Sequence, residues 1–366
     1  MIDIELSRPD LAGLGPRWRA LEARANCSFF QSWTWTGCLA AERYSSPVLL
    51  VASEHGRDKV LGLFNRRSVL PELVCLWLGE SGDRTLDSIF IEHNGLLTEE
   101  GAAGRLISDC LNAARIAPIG LTKPLFARRL MLSGVLNAGL TTEAASAGRL
   151  LRTRAAPFVD LAALRRSGVD YLSALSANTR QQLRRSDRAY AAIGPLSLRR
   201  ADSISEAHQF LDSLAALHQA RWTQRGSPGA FAAPFFRRFH RALIEHGLPR
   251  GEIDLLCATA GEQVIGYLYN FRYRGQALAY QSGFDYRAAD KHQKPGLTCH
   301  HAAIRQCLAD GLDRYDFLAG DDRYKRSLST GTDVLHWLEI GVPWAPHRLL
   351  SSLRNHGLRL KWFRCH

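Results

Sequence analysis

The chain has 366 residues, 46% hydrophobic and 22% charged, which is ordinary for a folded protein and leaves room for two medium-sized domains. Its 47 Lys and Arg against 35 Asp and Glu give a net charge of +12, which favours anionic partners such as nucleotides, acyl-CoA, RNA or a lipid headgroup surface. Eight cysteines form no C-x-x-C pair, no run of about 18 apolar residues exists, and the opening MIDIELSRPD lacks a signal's apolar core, so a cytoplasmic chain without a membrane span is expected.

Ile2 to Leu6 alternates like a strand, and Leu11 to Ala25 has helical spacing. Ser32 is placed to cap a helix running to Tyr44. Val48 to Ser53 and Val60 to Leu70 flank the polar turn His55 to Lys59 as a hairpin does. Cys75 to Leu78 reads as a short strand and Ala102 to Arg115 as a helix. Ala117 to Leu151 is rich in Ala, Gly and Leu and alternates only weakly. The pattern restarts near Ala155 to Leu161, which sets a boundary between domains at 1–154 and 155–345, followed by a basic tail at 346–366. Helices are expected at Tyr171 to Leu175, Asn178 to Ala192, Ser205 to Arg225 and Pro234 to His246. Strands are expected at Ser197 to Arg200, Glu252 to Thr259 and Val334 to Ile340.

The stretch from Gly261 to Lys325 organises the second half. Val264 to Tyr273 and Ala277 to Phe284 flank Gly275 as a hairpin; a basic segment, Arg287 to Gly296, leads into a helix, Leu297 to Leu308, and then a strand, Tyr315 to Leu318. A Gly turn at a helix start offers free backbone N–H groups and the positive end of the helix dipole, which suits a pyrophosphate. Each half shows helices, a hairpin and a further helix, a pattern of two related domains.

Five pieces of this half resemble the GNAT-fold acetyltransferases of the CelD type, relatives of the FemAB aminoacyl transferases. They are Ser176 to Arg185; His218 to Trp222 with Gly226 and Gly229 to Phe231; Gly266-Tyr267; Tyr280 to Asp285 with Pro295-Gly296; and Tyr315 to Lys325. Phe30-Gln31-Ser32 with Trp35 is similar to the family's opening motif. The resemblance implies an α/β (α+β) fold of two tandem GNAT-like domains with mixed sheets, the first degenerate. It also implies a splayed pair of strands with acetyl-CoA or another acyl-CoA in the splay. The usual Arg/Gln-x-x-Gly-x-Gly/Ala loop is reduced to Lys291-His292-Gln293-Lys294-Pro295-Gly296, as in CelD-type members.

Acyl transfer from a thioester needs a deprotonated acceptor, donors on the carbonyl oxygen and an acid for the thiolate. The resemblance puts the donor on the backbone at Gln281, Ser282 and Gly283, and the pyrophosphate at Lys294, Pro295, Gly296, Leu297 and Thr298. His218 and Asp316 are candidate bases, the former because its unperturbed pKa of about 6.5 suits that work. Tyr324 is the candidate acid. Arg180 and Arg184 are candidate contacts for an anionic acceptor or the CoA 3′-phosphate, Arg221 for a substrate carboxylate and Lys325 for an anion, while Trp222 and Asp285 are further candidate substrate contacts.

No metal is expected. Neighbours Cys299, His300 and His301 on a helix point in different directions. His208 to Asp212, an His-x-x-x-Asp form, falls inside a helical pattern and is set aside. The leading expectation is an acyl-CoA-dependent N- or O-acyltransferase acting on a small metabolite, a sugar or an amino-acid-like acceptor by direct attack. The alternatives are a FemAB-type transferase using aminoacyl-tRNA and a non-catalytic binding module. The tail from Pro346 mixes Arg with Leu and Trp and is expected to pack on the domain or stay disordered.

Overall fold

In this computed structural model, residues 2–70, 73–83, 85–102, 104–119, 128–136 and 148–341 are described. The tail expected at 346–366 lies outside them. In chain order the first elements are β1 (Ile2–Ser7), α1 (Leu11–Glu22), α2 (Trp33–Arg43), β2 (Pro47–Glu54), β3 (Arg57–Leu70), β4 (Leu73–Leu78), β5 (Leu97–Thr98), α3 (Gly104–Ile116) and β6 (Arg129–Leu136). There follow β7 (Gly148–Asp160), α4 (Leu161–Ser167), α5 (Ala177–Ala191), β8 (Leu196–Arg200), α6 (Ile204–Gln224) and α7 (Pro234–Gly247). The last are β9 (Ile253–Ala260), β10 (Gln263–Tyr273), β11 (Gln276–Phe284), α8 (Pro295–Ala309), β12 (Arg314–Asp316), α9 (Arg323–Leu328) and β13 (Gly331–Ile340).

Two units result. Unit 1 takes the described residues up to Asp87, Ile91 to Thr153 and those from Val334 on; unit 2 takes Ser88–Phe90 and Arg154–Asp333. In unit 1 the strands follow the order β1-β2-β3-β4-β6-β13, with β5 on β3. Val334 to Ile340, expected with the second domain, pairs with unit 1 instead: Leu335 to Ile340 lie antiparallel to Leu136 to Leu130 of β6. The cause is burial, since Leu338 and Ile340 join Leu130, Leu132 and Val135 in one apolar cluster. β4 and β6 form the unit's parallel pair, in register from Cys75–Arg129 to Leu78–Leu132. Just past that pair, Asn94 Nδ2 donates to the carbonyls of Leu78 at 3.0 Å and Ser133 at 3.1 Å, so one side-chain amide stitches the strand ends together.

Unit 2's strands run in the order β7-β12-β11-β10-β9-β8. Neighbours are antiparallel except β11 and β12, which are parallel. Successive strand residues point to opposite faces. Leu268 of β10 therefore joins a core with Leu164, Leu183, Cys299, Ile304 and Tyr315 under α4, α5 and α8. Its neighbour Tyr267 meets Phe210 of α6 on the other face, ring centroids 5.4 Å apart. On that face Phe236 and Phe239 of α7 are fully buried, each ring contributing roughly 2–3 kcal/mol. Sequence supports these helices at their starts: Ser176 accepts from Thr179 N–H at 3.2 Å before α5, and Pro234 and Pro295 open α7 and α8.

Candidate active site

β11 and β12 pair only at Gln276–Arg314, Ala277–Tyr315 and Leu278–Asp316. β11 then continues for six residues, to Phe284, while β12 has ended. The two strands part beyond Leu278. On its other edge β11 stays paired with β10, but the register steps from Asn270–Ala279 to Tyr269–Gln281, leaving Tyr280 as an extra, bulged residue. Asp285 N–H donates to Ile265 O at 2.9 Å. By the alternation of an antiparallel ladder, Gly283 and Gln281 also bond towards β10, and the N–H groups of Ser282 and Phe284 point to the parted edge. Gly283 cannot carry a larger side chain there, because a Cβ would lie 2.4 Å from Leu214 O of α6.

The segment after β11 is shaped by two carboxylates. Asp285 Oδ1 accepts from the N–H groups of Arg287 at 2.9 Å and Ala288 at 3.2 Å. Asp290 Oδ1 accepts from His292 at 2.6 Å and Gln293 at 2.9 Å, and these two donors hold its carboxyl below the usual range. Asp285, expected to touch substrate, is thus an anchor of this turn. α8 then starts with no side-chain cap. Pro295 has no N–H, and Thr298 N–H already bonds Lys294 O at 3.1 Å. The N–H groups of Gly296 and Leu297 are left facing out of the helix start, beside the exposed Lys294. Gly296 packs close to Phe284, with a notional Cβ 3.1 Å from its ring.

Thr298 departs from expectation. It is buried, and its hydroxyl lies 2.8 Å from Ser186 Oγ and donates to Asp187 Oδ1 at 2.9 Å. Ser186 Oγ also accepts from Lys294 N–H at 2.8 Å, and Asp187 Oδ2 lies 2.8 Å from His301 Nδ1. Two consecutive residues of α5 therefore clamp the first two turns of α8. The hydroxyl is spent on this clamp, so Thr298 positions the helix start instead of binding a phosphate. Ser186 and Asp187 were missed. Their signal was present: Thr179, Leu183, Ser186 and Tyr190 are the buried stripe of α5, and a serine in such a stripe needs a partner.

The remaining candidates divide. His218 is buried at the end of α6, 5.7 Å from Trp222 and 5.2 Å from Phe231 by ring centroids. Burial lowers its pKa to about 4, so the imidazole is neutral at neutral pH, and its Nδ1 has no hydrogen-bond partner. Arg221 lies over Tyr286, 4.7 Å from the ring centroid, with its Nε buried and unpartnered. The structure pairs His218 with Trp222 and Arg221 with Tyr286, both from the last turns of α6; Tyr286 was not foreseen. Tyr324 of α9 stacks on His300, centroids 5.3 Å apart, and burial raises its pKa well above the usual phenol value.

Asp316 is corrected from free base to structural anchor. It is fully buried, accepts from Arg314 Nε at 2.8 Å and from Leu318 N–H at 2.7 Å, and so holds the left-handed turn at Leu318, φ 60°. Lys325 is likewise turned inward, its Nζ donating to Ala319 O at 2.9 Å. Arg180 spends its guanidinium on the carbonyls of Leu172 and Leu175, both at 3.3 Å, which corrects its expected substrate role. Arg184 is exposed on α5. His300 Nδ1 lies 2.9 Å from Tyr315 OH while His301 faces Asp187, so the two rings have separate partners. Among the described residues no cluster could hold a metal ion. Two depressions in unit 2, of about 510 and 310 Å³, lie beside α4 and α8 and beside α5 and α9; neither is lined by β11 or by Pro295 to Thr298.

The family model described as an acetyltransferase (GNAT) domain matches residues 177–326. Residues 177–326 are thus similar to a GNAT acetyltransferase domain. The match runs from the start of α5 to α9 and so takes in the parted strands and the helix start between them. FemX superposes with a TM-score of 0.61 at 9% identity, over 92% of this chain and 98% of that one. L-PGS from Bacillus licheniformis gives 0.55 at 8%, over 95% of this chain and 96% of its own. The C-terminal domain of a putative lysylphosphatidylglycerol synthetase from Agrobacterium fabrum gives 0.50 at 10%, over 96% and 99%. Identities this low speak to the fold alone: the chain has a mixed α/β, GNAT/FemAB-like fold. None of the curated proteins matches it. No helix of the described residues is long and apolar enough to cross a membrane.

Proposed function

We propose that unit 2 is an acyl-CoA-dependent acyltransferase, with acetyl-CoA as the leading donor, that acylates an amine or hydroxyl of a small sugar or amino-acid-like acceptor. The observation that carries this reading is the parting of β11 from β12 beyond Leu278, next to an uncapped helix start. In this reading the thioester carbonyl lies along the parted edge of β11. The N–H groups of Ser282 and Phe284 are placed to stabilise the oxyanion. The N–H groups of Gly296 and Leu297, with Lys294, take the pyrophosphate. The acceptor lies near Arg221, Trp222 and Tyr286, where neutral His218 takes its proton directly or through a water. Nitrogen or oxygen attacks the carbonyl carbon, the C–S bond breaks, and the thiolate takes a proton from Tyr324, which its environment keeps protonated.

Thiol release from acetyl-CoA, measured against a panel of amines and sugars, tests the reading. The expected result is acceptor-dependent thiol release that falls at least tenfold in Tyr324→Phe. Absence of release with every acceptor, together with no CoA carried through native purification, overturns it. A second reading has support from the +12 charge and the FemX-like fold: an aminoacyl-tRNA donor, with aminoacyl transfer abolished by RNase. Both readings take unit 1 as non-catalytic, which is supported by Asn94 bridging the ends of β4 and β6.

A further inference from the structure

We propose that the acceptor is an amino acid, its carboxylate held by Arg221 and its amine beside His218; this rests on the acyltransferase reading of unit 2. Arg200, Arg241, Arg272 and Arg314, partly buried like Arg221, each pair with an aspartate. Arg221 has no ion pair among the described residues, and its Nε is buried without a hydrogen-bond partner. A half-buried guanidinium in that condition is costly, and an incoming carboxylate relieves it with a two-pronged bond.

Tyr286 holds this cation in place. Arg221 lies over its ring, 4.7 Å from the centroid, a contact that supplies no acceptor oxygen. The Tyr286 hydroxyl in turn lies against Gly296, where a notional Cβ would be 3.4 Å from it. Arg221 is thereby linked to the helix start assigned to the donor. His218 stands three residues before Arg221 on α6, so the two share a face, with Cβ atoms about 5–6 Å apart. His218 Nδ1 is also buried and unpartnered. An amine both donates and accepts, so it satisfies either tautomer of the ring. Two unmet polar groups at that spacing suit the amine and the carboxylate of one small molecule. A neutral sugar offers nothing to Arg221. The donor's diphosphate is the other anion at hand, but it already has Lys294 and the N–H groups of Gly296 and Leu297, and it brings no amine to His218.

Thiol release from acetyl-CoA by the full chain tests this, with each common L-amino acid run beside its own amide, and glucosamine alongside. The amide's amine sheds its proton more readily, so a preference for the acid reports on the carboxylate. At least one amino acid should give kcat/KM about tenfold or more above its amide. In Arg221→Gln that gap should close to within about twofold, through KM and not kcat, while CoA affinity by calorimetry holds. Acid and amide used equally well by the parent chain overturn the proposal, whether or not the variant folds. So does a gap that persists in Arg221→Gln, or a loss of CoA affinity in that variant with its acid preference intact, which would give Arg221 to the diphosphate. Release confined to glucosamine overturns this proposal alone; absence of release with every amine and sugar removes the acyltransferase reading and this proposal with it.

Discussion

Thr298 shows how a single side chain can set the geometry of a helix start without touching a ligand. Its hydroxyl joins Ser186 Oγ and Asp187 Oδ1, while Lys294 N–H is held separately by Ser186. Thr298→Val keeps the shape and removes both hydroxyl bonds, leaving a buried serine and a carboxylate short of a partner. The expected cost is about 1–2 kcal/mol of stability, read as a lower urea midpoint at unchanged slope. CoA affinity should fall with it, because the N–H groups of Gly296 and Leu297 lose their fixed direction. His218 gives a second prediction at this scale. With its pKa lowered to about 4 by burial, a base role leaves kcat/KM flat from neutral pH down to about 5, with the acid limb near 4. A limb centred near pH 6.5 that vanishes in His218→Gln would show instead that substrate-free His218 is solvated; a limb that survives the substitution would assign the base elsewhere.

Strands and helices were legible where one periodicity dominated. The hairpin of β10 and β11 was visible from Gly275, which with Arg274 takes positive φ at the turn, 74° and 47°. α8 was visible from its apolar spacing and its Pro-Gly start. β6 was lost in an Ala-, Gly- and Leu-rich stretch with no clear alternation. β7 was lost because its first half, from Arg149 to Thr153, is exposed and the strand carries Arg149, Arg152 and Arg154, so burial wrote no pattern into it until Ala156. The clamp on α8 was hidden for another reason: Ser186 and Thr298 are 112 residues apart, and no local rule joins them. The parting of the strands was expected from resemblance alone, since strand length cannot be read from so short a run as Tyr315 to Leu318. Gly283 makes the element's tolerance testable. A Cβ would lie 2.4 Å from Leu214 O, a backbone atom that cannot swing aside. Gly283→Ala should cost roughly 1–3 kcal/mol. Gly311→Ala, where a Cβ meets open space, serves as the comparison for backbone strain alone, at φ 76°. Equal losses in the two variants would show that α6 is not packed against β11 this closely.

Across the whole molecule, the buried titratable groups give the two units opposite responses to acid. His218, His240 and His300 all lie in unit 2, and burial lowers them to about 4, 3 and 3, with Lys325 adding to the shift at His300. A histidine whose folded pKa lies below its unfolded value stays neutral in the native state while the unfolded chain takes up a proton. The stability it contributes is full above about pH 6.5 and is lost as the pH falls towards the folded value. Three such protons at about 1.4 kcal/mol each amount to about 4 kcal/mol per pH unit near pH 5. Unit 1 carries the reverse case. Burial, followed by the charge of Asp87, raises Glu80 to about 7, so its contribution is present below the unfolded carboxylate value and is lost as the pH rises through 7. Between pH 6.5 and 5, unit 2 should therefore weaken while Glu80 strengthens unit 1. Thermal melts followed by fragment-resolved proteolysis at pH 7.5 and 5 measure the difference: unit 2 fragments should appear at a lower temperature at pH 5, ahead of those from unit 1. His240→Leu should remove about a third of unit 2's acid slope. If the two units shift together, or the slope is unchanged by His240→Leu, these histidines are not held neutral by burial, and the neutral His218 used above loses its basis as well.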